Sequence, residues 1–187
     1  MPRYGRVSLV NYQSDAASPK ASGPWLNIDT AAGTAHTNST TETAVASYTF
    51  GPGDLESGSV VEWECVVRAT ATNSTDTLTL VAYFGGTTLT TAIATLNAVD
   101  VADNDLVVFK GTITVRDADA SGTHVASTLT QNPAATGAGT LEFHNTITSS
   151  VDFTGSLLLE VGADWSVASA SNSCQTETFN VRRAEGS

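Results

Sequence analysis

The feature of this sequence that most constrains its fold is a strict alternation of apolar and polar residues in short segments. The clearest segment is residues 61–68, VEWECVVR, in which every second residue is apolar and most of the others are charged. Successive side chains of a β-strand point to opposite faces, so this period indicates a strand with one buried face. Eight or nine such segments follow residue 41, separated by Gly, Asn and Asp turns, and none has a helical period. The sequence therefore predicts an all-β fold, an antiparallel β-sandwich of jelly-roll type.

The first part of the chain differs in composition from the rest. Residues 18–24, SPKASGP, are a run of turn and loop formers, and residues 30–39 are mostly small and polar. Between these two runs, Trp25 and Ile28 are apolar residues that can anchor the segment. We therefore expect an extended N-terminal arm over residues 1–38 and a sandwich domain over residues 39–187, an ordinary size for one all-β domain.

Charge is also unevenly distributed along the chain. The formal net charge is -11, and this much negative charge argues against a broad surface for nucleic acid or anionic membrane. Residues 1–20 nevertheless hold three basic residues against one acidic residue, whereas the remainder holds five basic and eighteen acidic residues. A basic arm on an acidic body is the most informative charge feature of the sequence.

The two cysteines, Cys65 and Cys174, have neither metal-site nor redox-motif spacing. We expect both to be buried thiols that pack as small apolar side chains. A disulfide between an early and a late strand stays open as an alternative, because sequence does not give the required geometry. The first residues lack the apolar core of a signal peptide, and no stretch approaches the length of a membrane span. We therefore expect a soluble protein made in a cytoplasm.

Seven segments share a distinctive strand-and-turn usage. In chain order they are residues 38–43 (NSTTET), 46–50 (ASYTF), 53–55 (GDL), 73–80 (NSTDTLTL), 83–89 (YFGGTTL), 111–116 (GTITVR) and 165–172 (WSVASASN). Their order resembles small jelly-roll proteins of tailed bacteriophages, which occur as head decoration proteins, head fibres and appendage tips. The similarity spans about three-quarters of the chain and contains no catalytic motif.

The resemblance implies a virion structural protein. The resemblance does not fix its place on the virion, and we expect a capsid decoration or cement protein that binds the outer surface of a phage head and stabilises it. The implied partner is the major capsid protein lattice, the implied oligomer is a homotrimer, and cyclic closure is the usual way to satisfy such an interface. The protein would be made in the host cytoplasm and would end on the outer capsid surface, with no role for a nucleic acid, a membrane or a cofactor. The alternative is a fibre or tail tip module that recognises a host surface glycan, and an enzyme ranks third.

Catalytic and zinc-binding chemistry finds little support in the residues. The three histidines, His36, His124 and His144, lie in different segments without zinc spacing. Glu62 and Glu64 share one face of a strand, about 7 Å apart. A glycosidase normally takes its two carboxylates from separate elements across a cleft, so we expect a solvated strand face and no catalytic residues.

An acidic loop near the middle of the chain offers oxygen ligands. Asp100, Asp103 and Asp105 are of the kind that calcium binds, but their spacing is not that of an EF-hand. An ordinary polar loop is the expectation, and a structural ion is the alternative.

A glycan-binding module would need exposed aromatic side chains. Trp63 is in register with Cys65, which predicts a core position, and a packed aromatic is the default for any such residue. Trp165 stands at a strand end before a loop of small residues, so it is the better candidate for exposure. Tyr83 is the other candidate for contact with a sugar.

The arm supplies the predicted partner-binding residues. These are Arg3, Tyr4, Arg6, Tyr12 and Lys20. Arg and Tyr are enriched at protein interfaces, and a polar segment of this kind has too little apolar surface to fold alone. We hypothesise that the arm docks the acidic domain onto an acidic patch of a capsid lattice; the alternative is a frayed terminus.

Overall fold

A computed structural model describes residues 26–28, 32–71, 73, 75–101, 103–132 and 140–184, and gives the backbone alone at residues 97–99, 128–132 and 140–149. Within these ranges every regular element is a β-strand, and no helix is long and apolar enough to cross a membrane. The strands are β1 Asn27–Ile28, β2 His36–Thr37, β3 Thr43–Phe50, β4 Val60–Thr70, β5 Thr77–Gly85, β6 Ala92–Asp100, β7 Asp105–Asp117, β8 Gly122–Asn132, β9 Thr140–Val151, β10 Leu157–Trp165 and β11 Ser173–Ala184.

These strands form two antiparallel sheets. The large sheet has the order β1-β11-β4-β7-β8-β9, with β2 also paired to β11, and the small sheet has the order β3-β10-β5-β6. The chain passes between the sheets after β2, β3, β4, β6, β9 and β10, which is the jelly-roll-like way of building a sandwich. The predicted all-β antiparallel sandwich is confirmed.

Alternation along the strands creates the core between the two sheets. On β4 every second side chain, from Val61 to Ala69, is buried, and those between them are partly exposed. Trp63 is 3% exposed and packs edge-on against Phe109 of β7, with ring centroids 5.2 Å apart. The core position expected for Trp63 is therefore confirmed.

A Gly-Gly pair between two alternating segments is a hairpin signal in a sequence, and the structure has a hairpin at Gly85-Gly86. Strands β5 and β6 pair antiparallel, and residues 86–91 connect them. Leu89 and Thr91 in this connection have positive φ angles of 51° and 64°. Such angles are rare for bulky and β-branched residues, so the connection holds local backbone strain.

The start of the described chain runs along the edge of the large sheet. Asn27 and Ile28 of β1 pair with Val181 and Asn180 of β11, and β2 pairs with the start of the same strand. Residues 1–25, which include most of the predicted arm, lie outside the described residues. The boundary proposed at residue 38 stays a prediction.

The register of the strands defines two ends of the sandwich. The turns of residues 51–59, 86–91, 118–121 and 152–156 lie at one end, which we call the near end. The turns of residues 71–76, 101–104 and 166–172 lie at the far end. At the far end, the Asn172 Nδ2 atom donates to buried Asp76 at 3.0 Å and to the Val167 carbonyl at 3.1 Å. This buried amide ties the last turn to the 71–76 turn.

An aromatic cluster fills the near end of the core. Phe84 lies 6.1 Å from Phe50, 5.0 Å from His124 and 6.1 Å from Phe153, measured between ring centroids. Tyr48 extends the cluster through Phe50 at 4.8 Å. These rings bring both sheets and the 152–156 turn together.

Candidate functional site on the outer face of the small sheet

The outer face of the small sheet is acidic and lacks basic residues. Strands β3, β5, β6 and β10 contain no Lys or Arg. The side chains of Glu160 and Asp164 lie on the outer face of β10, which is one of the two inner strands of the sheet. Glu42 directly precedes the edge strand β3. The five basic residues within the described ranges are Arg68, Lys110, Arg116, Arg182 and Arg183, which all lie on strands of the large sheet.

A tyrosine and a glutamate form the best-defined contact on this face. The Tyr83 hydroxyl lies 2.8 and 2.9 Å from the two carboxylate oxygens of Glu42. Burial, with added contributions from the hydrogen bond and charge of Glu42, raises the pKa of Tyr83 to about 12. The hydroxyl therefore stays protonated and acts as a donor to Glu42.

Gly162 explains how Glu42 reaches across the sheet. A Cβ atom at Gly162 would overlap the Glu42 carboxylate, and the Glu42 Cγ atom would lie only 3.1 Å from it. The missing side chain thus leaves the space in which Glu42 lies flat on β10. A glycine inside a strand often marks such a close approach.

Glu160, one outward position earlier on β10, is covered by the strained 86–91 connection. Its side chain is 3% exposed, and one carboxylate oxygen accepts the backbone N–H of Leu89 at 2.7 Å. Leu89 is also one of the two residues of this connection with a positive φ angle. Three carboxylates, from Glu160, Glu42 and Asp164, consequently follow one another along β10.

Asp164 closes the row at the far end. Burial raises the pKa of its carboxyl group, and the charge of His36 opposes this rise. His36 is itself 8% exposed, and its Nε2 atom has no hydrogen-bond partner. The row therefore combines one tyrosine donor with acceptor carboxylates, a set suited to hydrogen-bonding hydroxyl or ammonium groups.

The outer face of the large sheet carries cross-strand ion pairs. Glu62 pairs with Arg182 of β11, and Glu64 lies 4.0 Å from Lys110 of β7. A third pair joins Arg68 to Glu177 at 2.6 Å. All these side chains are partly exposed, so Glu62 and Glu64 occupy a solvated strand face, as their alternation predicts.

Trp165, the better candidate for exposure, is buried, which agrees with the default of a packed aromatic. Its side chain is 0% exposed. The inward-facing residues of β10 run through Val161 and Ala163 to Trp165, so the last residue of the strand still faces the core. A position at a strand end does not reveal the face on which the side chain lies.

The remaining candidate chemistry is dispersed. Asp100 ends β6 of the small sheet and Asp105 begins β7 of the large sheet. Among the residues that the structure describes, no group of three or more His, Cys, Asp or Glu side chains could hold a metal ion. His124 is fully buried, and the side chain of His144 lies outside the described part of the chain.

Cys65 and Cys174 are both buried and neither forms a disulfide. They lie on adjacent strands, with Cys65 opposite Phe179 and Cys174 opposite Ala69. This register separates them by four residues along β4, or about 13 Å, whereas a disulfide needs Cα atoms within about 7 Å. The expectation of buried thiols is confirmed.

The predicted partner-binding residues Arg3, Tyr4, Arg6, Tyr12 and Lys20 lie outside the described residues, and their role stays a prediction. The structure instead shows Glu42, Glu160 and Gly162, which the sequence did not single out. Two signals in the sequence pointed to β10: a glycine inside a strand, and a glutamate in an otherwise apolar run.

Comparison with known proteins gives little further information. No family model matches the sequence, and no curated protein matches it. A Lotus tetragonolobus seed lectin (isoform) is a match among solved structures, with 7% identity, a TM-score of 0.39, and coverage of 79% of this chain and 80% of the lectin chain. A TM-score this low says nothing about what the chain binds.

Proposed function

We propose that this chain is a virion structural protein, a decoration or cement protein that binds the outer surface of a phage head and stabilises it. The observation that carries the proposal is the division of charge. Within the described ranges, Arg68, Lys110 and Arg182 pair with carboxylates and Arg183 donates to the Asp54 carbonyl at 2.6 Å. Arg116 is exposed on β7 of the large sheet, and the remaining three basic residues of the chain are Arg3, Arg6 and Lys20. They supply a separate cationic segment with which to attach an acidic body to an acidic surface.

The stabilising mechanism is mechanical. A sandwich with strands of up to 13 residues resists deformation, and contacts across neighbouring capsomers would oppose the outward pressure of a filled head. A homotrimer would place three arms around a three-fold point of the lattice. Neither catalysis nor a cofactor enters this mechanism.

Co-sedimentation with heads built from the major capsid protein tests the proposal. We expect many copies per head for the unmodified protein, and at least tenfold weaker binding for the triple variant Arg3→Glu, Arg6→Glu, Lys20→Glu. Arg116→Glu, an exposed basic residue of the body, is the matched control and should bind normally. Equal binding by the arm variant would contradict attachment through the arm.

A second candidate function is glycan recognition by the outer face of the small sheet. It is favoured by the row of carboxylates with Tyr83 and by the strained connection over Glu160. Carboxylates form strong hydrogen bonds with hydroxyl groups, and local strain concentrates at binding sites.

A glycan array separates this candidate from the first. Binding that is lost in Glu42→Gln and in Tyr83→Phe, but kept in the large-sheet control Glu64→Gln, would support it. No binding to any glycan, together with many copies per head, would leave the structural role alone.

A further inference from the structure

His124 is a buried imidazole without any hydrogen bond. It lies on β8, is 0% exposed, and neither Nδ1 nor Nε2 has a partner. Its ring packs edge-on against Phe84 of β5 at 5.0 Å and against Phe153 at 6.3 Å. The site accommodates the neutral ring as an aromatic side chain, but it provides no hydrogen-bond acceptor for a charged ring.

On the described elements around His124, no charged group is placed to stabilise a protonated ring. On β7, opposite His124, the charged residues nearest in sequence are Arg116 and Asp117, and both are exposed. The near-end turns carry Asp54, Glu56, Asp119 and Asp152, which are all exposed as well. β5 carries no charged residue, and β10 carries Glu160 and Asp164 on the outer face of the small sheet. The side chains of Glu142 and His144 on β9 lie outside the described residues. Burial alone lowers the pKa of His124 to about 4.

Of the elements that touch His124, the 152–156 turn is held most weakly. Phe84 and His124 belong to strands paired on the sheets, although the β7–β8 and β8–β9 ladders both shift register beside His124. Asp152 and Thr154, in contrast, are exposed turn residues on either side of Phe153. Phe153 itself is 3% exposed and fits against Gly122, where a Cβ atom would lie 2.6 Å from its ring. One backbone hydrogen bond, from the Phe153 N–H to the Asp119 carbonyl at 2.9 Å, connects this turn to the neighbouring turn.

We propose that His124 makes the near end an acid-sensitive latch, in which protonation of the buried ring releases the 152–156 turn and exposes Phe153 with its aromatic neighbours. A buried charged ring destabilises the packing of every element that covers it. Local opening proceeds through the least stable of these elements. The latch does not depend on the virion role proposed above.

Hydrogen exchange of the Phe153 amide in the full chain tests this latch. An opened His124 has an ordinary pKa near 6.5. Because the opened ring binds a proton more tightly, the equilibrium constant for opening should rise about 20-fold between pH 7 and pH 5. The exchange rate of the Phe153 amide, corrected for intrinsic exchange, reports this rise. We expect this rise at Phe153, and no comparable rise at amides in the middle of β4.

Variants decide which group is responsible. His124→Phe, with His124→Leu as a second choice if the larger ring does not fold, should abolish the rise, and His36→Gln should keep it. A rise that persists in the folded His124 variant, or that spreads uniformly to β4, would overturn the proposal. Loss of the rise in His36→Gln would overturn it as well, because His36 would then be the sensor.

Discussion

The hydroxyl of Tyr83 lies within hydrogen-bond distance of both carboxylate oxygens of Glu42, at 2.8 and 2.9 Å, although the two residues are 41 positions apart in the chain. The contact crosses β10 at Gly162, and so links the edge strand β3 to β5 over the strand that lies between them. It makes Glu42 a fixed part of the outer face of the small sheet.

Titration of Tyr83 should report on this contact. Its pKa is raised to about 12, so the stabilisation that it contributes is complete below pH 10 and is lost as the pH rises through about 12. As the pH rises, tyrosinate absorbance should show a late component, which titrates near pH 12 and is missing in Tyr83→Phe. Glu42→Gln should move this component part of the way towards pH 10, because burial also raises the pKa. Glu64→Gln on the other sheet should leave it in place.

Gly162→Ala should displace Glu42 without unfolding the protein. The new methyl group meets the flexible end of the Glu42 side chain, so we expect a loss of less than about 1 kcal/mol in the free energy of unfolding. The pKa of Tyr83 should fall as it does in Glu42→Gln. An unchanged late component in the absorbance titration would show that Glu42 does not lie on Gly162.

Gly122→Ala should be far more damaging. Its methyl group would meet the Asp117 carbonyl and the Phe153 ring, and a backbone atom cannot move aside. We expect urea denaturation to show a loss of about 2 kcal/mol. Gly155→Ala is a control near the same end, since its methyl group would meet nothing closer than 3.7 Å. Equal losses in the two variants would contradict the close packing of Phe153 against Gly122.

Asn172→Ala should weaken the far end. It removes a donor from the buried Asp76 carboxylate and leaves that group poorly satisfied. The expected cost is about 2 kcal/mol in the free energy of unfolding. Asn73→Ala removes a longer hydrogen bond to the same carboxylate, 3.2 Å, from an exposed residue, and should cost less. The reverse order in chemical denaturation would refute a central role for Asn172.

The cysteines should be inert in the folded protein. Burial raises the pKa of Cys174 to about 12, so almost no reactive thiolate exists at neutral pH. We expect a thiol reagent to modify neither cysteine until the protein is unfolded, and mild oxidation to form no intramolecular disulfide. A Cys65–Cys174 bridge in the native protein, detected by mass spectrometry, would contradict the register of β4 and β11.

Much of the fold follows from local pattern. The alternation in residues 61–68 identified β4 and its buried face, because a sheet with one side in water imposes a period of two. The Gly85-Gly86 pair likewise identified the β5–β6 hairpin. In both cases the determining residues are neighbours in sequence.

The candidate site could not be predicted in the same way. Glu42, Tyr83 and Gly162 come together only because β10 lies between β3 and β5, and sheet order is not a local property of the chain. The face on which Trp165 lies could not be predicted for a related reason, since only the register of β10 tells which face its last residue occupies.

The placement of basic residues gives the body an electric polarity. The described lysine and arginine side chains lie on the large sheet, and the small sheet offers only carboxylates on its strands. The five basic residues of the large-sheet strands are matched by six acidic ones, so that sheet is close to neutral, whereas the small-sheet strands carry three acidic residues and no basic one. A charged surface therefore acts unequally on the two faces of the sandwich. The molecule will meet a cationic surface with the small sheet foremost, within the roughly 8 Å over which fields persist in physiological salt.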